Sequence, residues 1–429
     1  MKKKVLIVTY YWPPAGGPGV QRWLKFVKYL PQFGIEPQVF IPENPNYPIM
    51  DDSLSREVSK SVKIHKKKII EPYALAKLMA KKSTDKFSAG IITESSKQSK
   101  LQQLMIYVRG NYFIPDARKF WVGPSINEIK KILDKEQIDT LITTGPPHSL
   151  HLIGLGLKKD NPKLQWIADF RDPWTSISYH EELKLTEASE KKHTELEGLV
   201  LQNADQLVVT SFSTQVEFRQ KTSKPVHLIT NGFDVRPNQE SPSLDEHFTF
   251  AHIGSLMKDR NPSNLWKVFS DLIQENKEFK AYFELDLIGQ SAANVIDSIQ
   301  KNELKDYLKI TNYLPHQEAL KKQERAQVLL LIEKNQEATK GIIPAKLFEY
   351  MSAKRPILAI GPKDWDVRKI LEETNAGVAF DYTDEVAIKT YIEQQFSLFL
   401  KGKLTVNSNG IEAYSRKKLT QKLAEIIPA

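Results

Sequence analysis

The 429-residue chain contains no cysteine at all. That excludes a disulfide framework, thiolate catalysis and every zinc or iron–sulfur site built on Cys ligands, and it fits a reducing cytoplasm. Long apolar runs are missing too. The opening MKKKVLIVTYYWPP is basic, as a signal peptide would be, but its apolar run is only Val5 to Val8 before aromatics and two prolines intervene, so it reads as a first strand. Nothing approaches the roughly 18 to 20 uninterrupted apolar residues that a bilayer-spanning helix needs, which leaves only peripheral contact with a membrane. A His-Glu-x-x-His pattern is absent and the nine histidines are scattered, so no metal is expected. No nucleophile-elbow Gly-x-Ser-x-Gly occurs, and without zinc-finger spacing, an RNP-like strand or a basic zipper, nucleic acid is not an expected partner.

What is present is the composition of a globular protein, 41% apolar and 26% charged, long enough for two ordinary domains. Its net charge of +9 is unevenly placed. Residues 54 to 131 hold 17 Lys and Arg against 6 Asp and Glu, a local excess of +11, so the remainder is slightly acidic. Within that segment KIHKKK (Lys63 to Lys68), AKLMAKK (Ala76 to Lys82) and LQQLMIYVRGNYF (Leu101 to Phe113) set basic residues beside Leu, Met, Tyr and Phe. Two readings stay open: an anionic membrane surface held through residues 54–131, or a solvated helical insertion with ordinary lysine-rich faces.

Short β-branched runs alternate with helical patterns along most of the chain. KVLIVTY, PQVFIP, DTLITT, LQWIADF, QLVVTS and VHLIT form one series, and FTFAHIG, YFELDLIG, LKITNYL, QVLLLIE, PILAIG and GVAFD form another. Strands so spaced, with helix-like stretches between them, predict an α/β protein of two facing Rossmann-like, doubly wound domains. The expected division is 1–236 with a helical insertion over about 44–125, a Pro- and Ser-rich linker at 237–246, a second domain over 247–410, and a last helix at 411–429 returning to the first. Sites in such folds lie at the carboxyl ends of the strands.

Candidate residues sit at those ends. After strand one, PPAGGPGVQR brings Gly16 and Gly17 to the start of a helix, where backbone amides favour anionic oxygens. This loop could touch sugar or phosphate, serve a dinucleotide, or be a structural turn; only the first two glycines of a dinucleotide fingerprint are there. LQWIADF runs into RDPW, so Asp169, Arg171 and Asp172 cluster at a strand end, and His148 opens a helix after another. These contact substrate or pair with one another, since unpaired burial would cost several kcal/mol. In HIGSLMKDRNP, Lys258 and Arg260 precede a helix and suit a diphosphate. TKGIIPAKLFEYMSAK places Glu349 on a helix, where a carboxylate could accept two ribose hydroxyls or be a plain surface residue.

Five segments in order, PPAGGPGVQR, NADQLVVTS, ITNGFD, HIGSL and PAKLFEYMSAKRPILAIG, make the chain resemble the GT-B glycosyltransferases, in particular family four of the nucleotide-sugar-dependent enzymes. The likeness spares only about residues 44–125. It implies a glycosyltransferase of bacterial surface polysaccharide assembly, retaining and metal-independent, working without a cofactor at the inner face of the cell membrane. The nucleotide-sugar donor would be held by the second domain and a glycan or lipid-linked acceptor by the first. By position, Gly16 and Gly17 would face donor phosphates and acceptor; Ser255, Ile342, Ile343, Lys346, Leu347 and Glu349 would line the donor site. Lys258 and Arg260 would stabilise the leaving diphosphate, while Arg171 and Asp172, with His148 and Asp169 nearby, would lie near the transferred sugar. Two departures stand out: Ser255 replaces the Arg of the family's Gly-Arg-Leu segment, and Gly341 replaces the first Glu of its Glu-x7-Glu pattern.

Overall fold

The computed structural model describes residues 2–71, 100–177, 180, 183–235 and 243–428. Residues 72–99 of the expected insertion, Ala76–Lys82 among them, lie outside the described residues, as do positions 237–242 of the expected linker. The chain divides into two compact units, residues 1–231 with 416–429, and residues 232–415.

The first unit carries seven strands: β1 (Lys3–Val8), β2 (Ile35–Pro42), β3 (Lys63–Lys67), β4 (Thr140–Gly145), β5 (Gln165–Phe170), β6 (Gln206–Val209) and β7 (Val226–Leu228). Their order is β3-β2-β1-β4-β5-β6-β7, parallel throughout. Strand β1 explains why the sheet is covered on both faces. Its residues alternate, so Val5 and Ile7 join helix Pro18–Tyr29 and Leu419 and Leu423 of helix Arg416–Ile426 on one side, while Leu6 and Val8 join Trp121, Ile129 and Ile153 on the other. Helix Arg416–Ile426 is pinned to this unit by Arg416 Nη1 donating to Gln21 Oε1 (3.2 Å) and Gln206 Nε2 donating to the Ile426 carbonyl (2.6 Å).

One element corrects the sequence reading. KIHKK, placed above within a helical insertion, is instead the edge strand β3, paired with Gln38 to Pro42 of β2. An edge strand with exposed Lys63 and Lys66 resists pairing with other chains, and its charge hides the alternation that marks buried strands. Two of its lysines are bound locally, Lys67 to Glu128 (3.0 Å) and Lys63 to Glu136 (2.5 Å).

The second unit repeats the plan with β8 (Phe248–Ile253), β9 (Phe283–Ile288), β10 (Leu308–Thr311), β11 (Val328–Ile332), β12 (Ile357–Ile360) and β13 (Gly377–Phe380). The order is β10-β9-β8-β11-β12-β13, again parallel. In both sheets the strand order reverses beside the first strand, between β1 and β4 and between β8 and β11. Those reversals open the crevices where such sheets bind ligands.

Candidate functional site

At the crevice of the first unit, the carboxyl ends of β1, β4 and β5 converge on Asp169, which is 1% exposed. Its carboxylate accepts four hydrogen bonds: from Arg22 Nη2 (2.7 Å) and Nε (3.3 Å), Trp23 Nε1 (2.8 Å) and Thr144 Oγ1 (2.8 Å). Burial alone would raise this carboxyl, but the Arg22 guanidinium and the hydrogen bonds from Thr144 and Trp23 outweigh it and hold it below the usual carboxylate range. Arg22 also donates to the Thr230 carbonyl (2.8 Å), so one buried ion pair ties the first helix to the ends of three strands.

Arg171 is likewise occupied by its own chain. It donates to the carbonyls of Gly19 (2.9 Å), Gly145 (3.3 Å) and Pro146. A Cβ at Gly19 would lie 2.6 Å from Arg171 Nη1, so a side chain there would displace the guanidinium from its present place. Asp172 follows, partly exposed and without a hydrogen-bond partner among the described residues. Burial pushes its carboxyl up, opposed by Arg171 and reinforced by Asp169.

His148 is 3% exposed and stacks on Trp174 with ring centroids 5.0 Å apart; neither ring nitrogen has a hydrogen-bond partner. Burial, followed by repulsion from His151, His180, Arg171 and His193, drives its protonation well below the ordinary range, so it is a neutral ring in an aromatic cluster. Gly16 donates its N–H to the Ile49 carbonyl (2.9 Å), and Gly17, at φ +91°, caps the first helix. Among the sequence candidates of this unit, Asp169, Arg171 and Asp172 do gather at one strand end, with Arg22 as the member that sequence reading missed. The missed signal is helical spacing: Arg22 and Trp23 follow Pro18 within the first turn and a half of a helix.

The second unit's crevice is built differently. The turn after β8 contains Gly254, at φ +119°, then exposed Ser255 and exposed Lys258, which makes no ion pair among the described residues. Arg260 is gripped by Glu333, just beyond β11, through Nε to Oε1 (2.9 Å) and Nη2 to Oε2 (3.2 Å). Glu333 is 1% exposed. Its clue in the sequence is a charged residue closing the apolar run QVLLLI, the same clue that singled out Asp169.

Lys346 lies on the first turn of helix Ala345–Ala353, which has no side-chain cap. Its Nζ rests against the Gly254 turn, 2.8 Å from where a Cβ there would stand, and 3.5 Å from Nε2 of buried His252. Burial, then repulsion from Arg260, lowers this amine to about 8, against the pull of Glu333 and Glu349. Leu347 is core, Ile343 is partly buried, and the Ile342 carbonyl accepts from Trp365 Nε1 (2.7 Å). On the same helix Glu349 meets His316 Nε2 (3.1 Å) and Gln323 Nε2 (3.3 Å). An Asp-x-Asp tripeptide, Asp364-Trp365-Asp366, does occur, but among the described residues no three His, Asp or Glu side chains gather as a metal site would require.

No family model matches the sequence, and no curated protein is significantly similar to it. Solved structures match along almost the whole chain. Sucrose-phosphate synthase of Thermosynechococcus elongatus superposes with a TM-score of 0.62 at 12% identity, covering 99% of this chain and 98% of that one. Anabaena HepE in complex with UDP gives 0.61 at 12% identity, over 99% and 98% of the two chains. WaaG, a glycosyltransferase involved in lipopolysaccharide biosynthesis, gives 0.52 at 11% identity, over 99% and 100%. Two parallel Rossmann-like sheets of matching strand order, together with likeness over the full length of these proteins, give the chain the two-domain GT-B fold of glycosyltransferases.

Proposed function

We propose that the protein is a glycosyltransferase moving a sugar from a nucleotide-sugar donor to a glycan or lipid-linked glycan acceptor in bacterial surface polysaccharide assembly, with retention of configuration. The observation that carries this reading is Lys346: an amine without a carboxylate partner, on an uncapped helix start, at the crevice end of the second sheet. Helix amides and a cation together suit a diphosphate. Charge growing on the departing diphosphate would be met by Lys346, Lys258 and one side of Arg260, in a preorganised setting that needs no metal ion. Glu349 would take the ribose. HepE, which binds UDP, supplies the precedent for the ligand class.

The first unit is the acceptor side in this reading. Asp169 and Arg22 hold the ends of the strands in place, and Arg171 fixes the two loops against each other. Asp172 is then the one member of that trio with a free carboxylate, set to meet an acceptor hydroxyl. A working place at the inner membrane face rests on the exposed lysines of β3. No helix among the described residues is long and apolar enough to cross a membrane.

The test begins with thermal melting in UDP, GDP and ADP. A ligand at a hundred times its Kd stabilises the native state by about 2.7 kcal/mol, so at least one nucleotide should raise the Tm by several degrees. No shift with any of them overturns the donor site. Nucleotide release from a panel of nucleotide-sugars should then depend on added acceptor and survive EDTA. Conversion of the donor without acceptor would instead mark an epimerase, and binding without turnover a non-catalytic protein of the same fold.

A further inference from the structure

The Lys346 amine has an unusual neighbour. His252 lies inside β8, buried, with Nδ1 3.0 Å from the Leu330 carbonyl. That carbonyl can only accept, so Nδ1 carries the proton and Nε2 presents a lone pair. The lone pair faces Lys346 Nζ at 3.5 Å. Burial, with the nearby Lys346 and Arg260 charges, outweighs the hydrogen bonds to the Leu330 and Ser255 backbone and keeps the ring neutral. A neutral acceptor orients an ammonium group without cancelling its charge, which a carboxylate would do. The charged groups around the amine are Arg260 from the turn after β8, Glu333 beyond β11 and Glu349 on its own helix; neither Glu forms an ion pair with it.

We propose that His252 is a positioning residue that holds the Lys346 amine at the Gly254 turn, and that a diphosphate is taken up there together with a proton on Lys346. This rests on the donor-site reading above and goes beyond it in assigning a proton to the binding step. The balance is simple: the neutral amine accepts one proton from solvent as the diphosphate docks, and the resulting ammonium pairs with phosphate oxygen. The proton is released when the nucleotide leaves. Burial lowers the amine to about 8, and an adjacent diphosphate raises that value. Binding is therefore favoured below pH 8 and weakens as pH rises above it.

Calorimetry with UDP, GDP and ADP, whose phosphates are fully ionised at pH 8, each in two buffers of different ionisation enthalpy, counts the protons directly. At pH 8 about half a proton should be taken up per ligand bound, and Kd should rise by up to about tenfold per pH unit above 8. Lys346→Arg, whose charge is permanent, should still bind but with no proton uptake and a flat profile from pH 7 to 9. His252→Leu should weaken binding several-fold and move the inflection to lower pH, with His252→Asn restoring part of both. Binding without proton uptake in the wild-type protein, or uptake that persists in Lys346→Arg, overturns the proposal while leaving the donor site intact. A His252→Leu variant that binds with the wild-type pH profile removes His252 from it. If none of the three probes binds, the donor-site reading falls and this inference with it.

Discussion

The two sheets share one strand order, yet their crevices treat cations in opposite ways. In the first unit Arg22 is neutralised by Asp169 and Arg171 is bound to three carbonyls, so the cations are structural cross-links. In the second, Arg260 is gripped by Glu333, but Lys346, beside the Gly254 turn, and exposed Lys258 have no acid partner among the described residues. The same topology thus supplies one crevice whose cations are held by the chain itself and one with two lysines outside any ion pair among the described residues. In the donor-site reading proposed above, the anionic ligand is taken up by the second.

The harshest way to break this contrast is to remove the internal anion of the first crevice. Asp169→Ala leaves Arg22 buried without a counter-charge, which costs about 3–5 kcal/mol, and urea unfolding should register the loss as a lower midpoint. The pH dependence has a definite sign. Because the folded carboxyl lies below its unfolded value of about 3.9, its contribution is present above pH 4 and disappears as pH falls through the folded value. Asp169→Asn should lack that acid-sensitive part. A variant with wild-type stability would show that the pair is not what holds these strand ends.

The corresponding cut in the second crevice should spare stability and strike turnover. Lys346→Ala removes a preorganised charge from the departing diphosphate, so kcat should fall by roughly 10²- to 10³-fold, equivalent to about 2.7–4 kcal/mol. Steady-state kinetics with the donor varied would read it. Arg260→Ala is a less direct probe, since it also strands the buried Glu333. Normal kcat in Lys346→Ala would place the diphosphate elsewhere.

How much of this contrast could be read in the sequence follows from what each signal depends on. Buried parallel strands announce themselves through continuous apolar runs, as in β1, β2, β4, β5, β11 and β12, and even the exposed edge strand β10, LKIT, was legible by its alternating Leu and Ile. KIHKK was not, because an edge strand needs little apolar surface and its lysines look like a solvated helix. Charged residues closing apolar strands pointed to Asp169 and, by the same rule, to Glu333, which was passed over. What no local pattern reveals is pairing across distance: Arg22 meets Asp169 from 147 residues away and Arg260 meets Glu333 from 73. Whether a cation is free or bound is decided by such pairs.

The first unit also carries unpaired cations at its sheet edge. Lys66 and Lys68 are exposed and outside any ion pair among the described residues, with Ile70 beside them 73% exposed. Each lysine near an anionic surface contributes about 1 kcal/mol, so Lys66→Gln with Lys68→Gln should weaken binding to phosphatidylserine vesicles by roughly 2 kcal/mol at low salt. The difference should fade as the Debye length shrinks to about 8 Å at physiological ionic strength. Equal cosedimentation of both proteins with anionic and neutral vesicles would return the segment to an ordinary solvated surface.

The smallest expected effect sharpens the second crevice from within. Glu349 is proposed to hold ribose hydroxyls, which do not change during transfer, so Glu349→Gln should raise donor KM with little change in kcat, as loss of uniform binding does. A hydrogen bond to a charged acceptor contributes about 1.5–3 kcal/mol, but Gln retains one acceptor oxygen, and a rise of about tenfold, near 1.4 kcal/mol, is expected. The carboxylate already meets His316 and Gln323, so a purely structural role makes a competing forecast. In that case Glu349→Gln would leave both kinetic constants unchanged and shift stability by less than 1 kcal/mol, the usual worth of a partly exposed pair. The decisive measurement is donor KM at saturating acceptor, compared for Glu349→Gln and His316→Gln. If His316 merely steadies Glu349 for the ribose, its substitution should raise KM in the same direction but by less. If KM is untouched in both, Glu349 belongs to the helix and the ribose must be sought along another strand end of the second sheet.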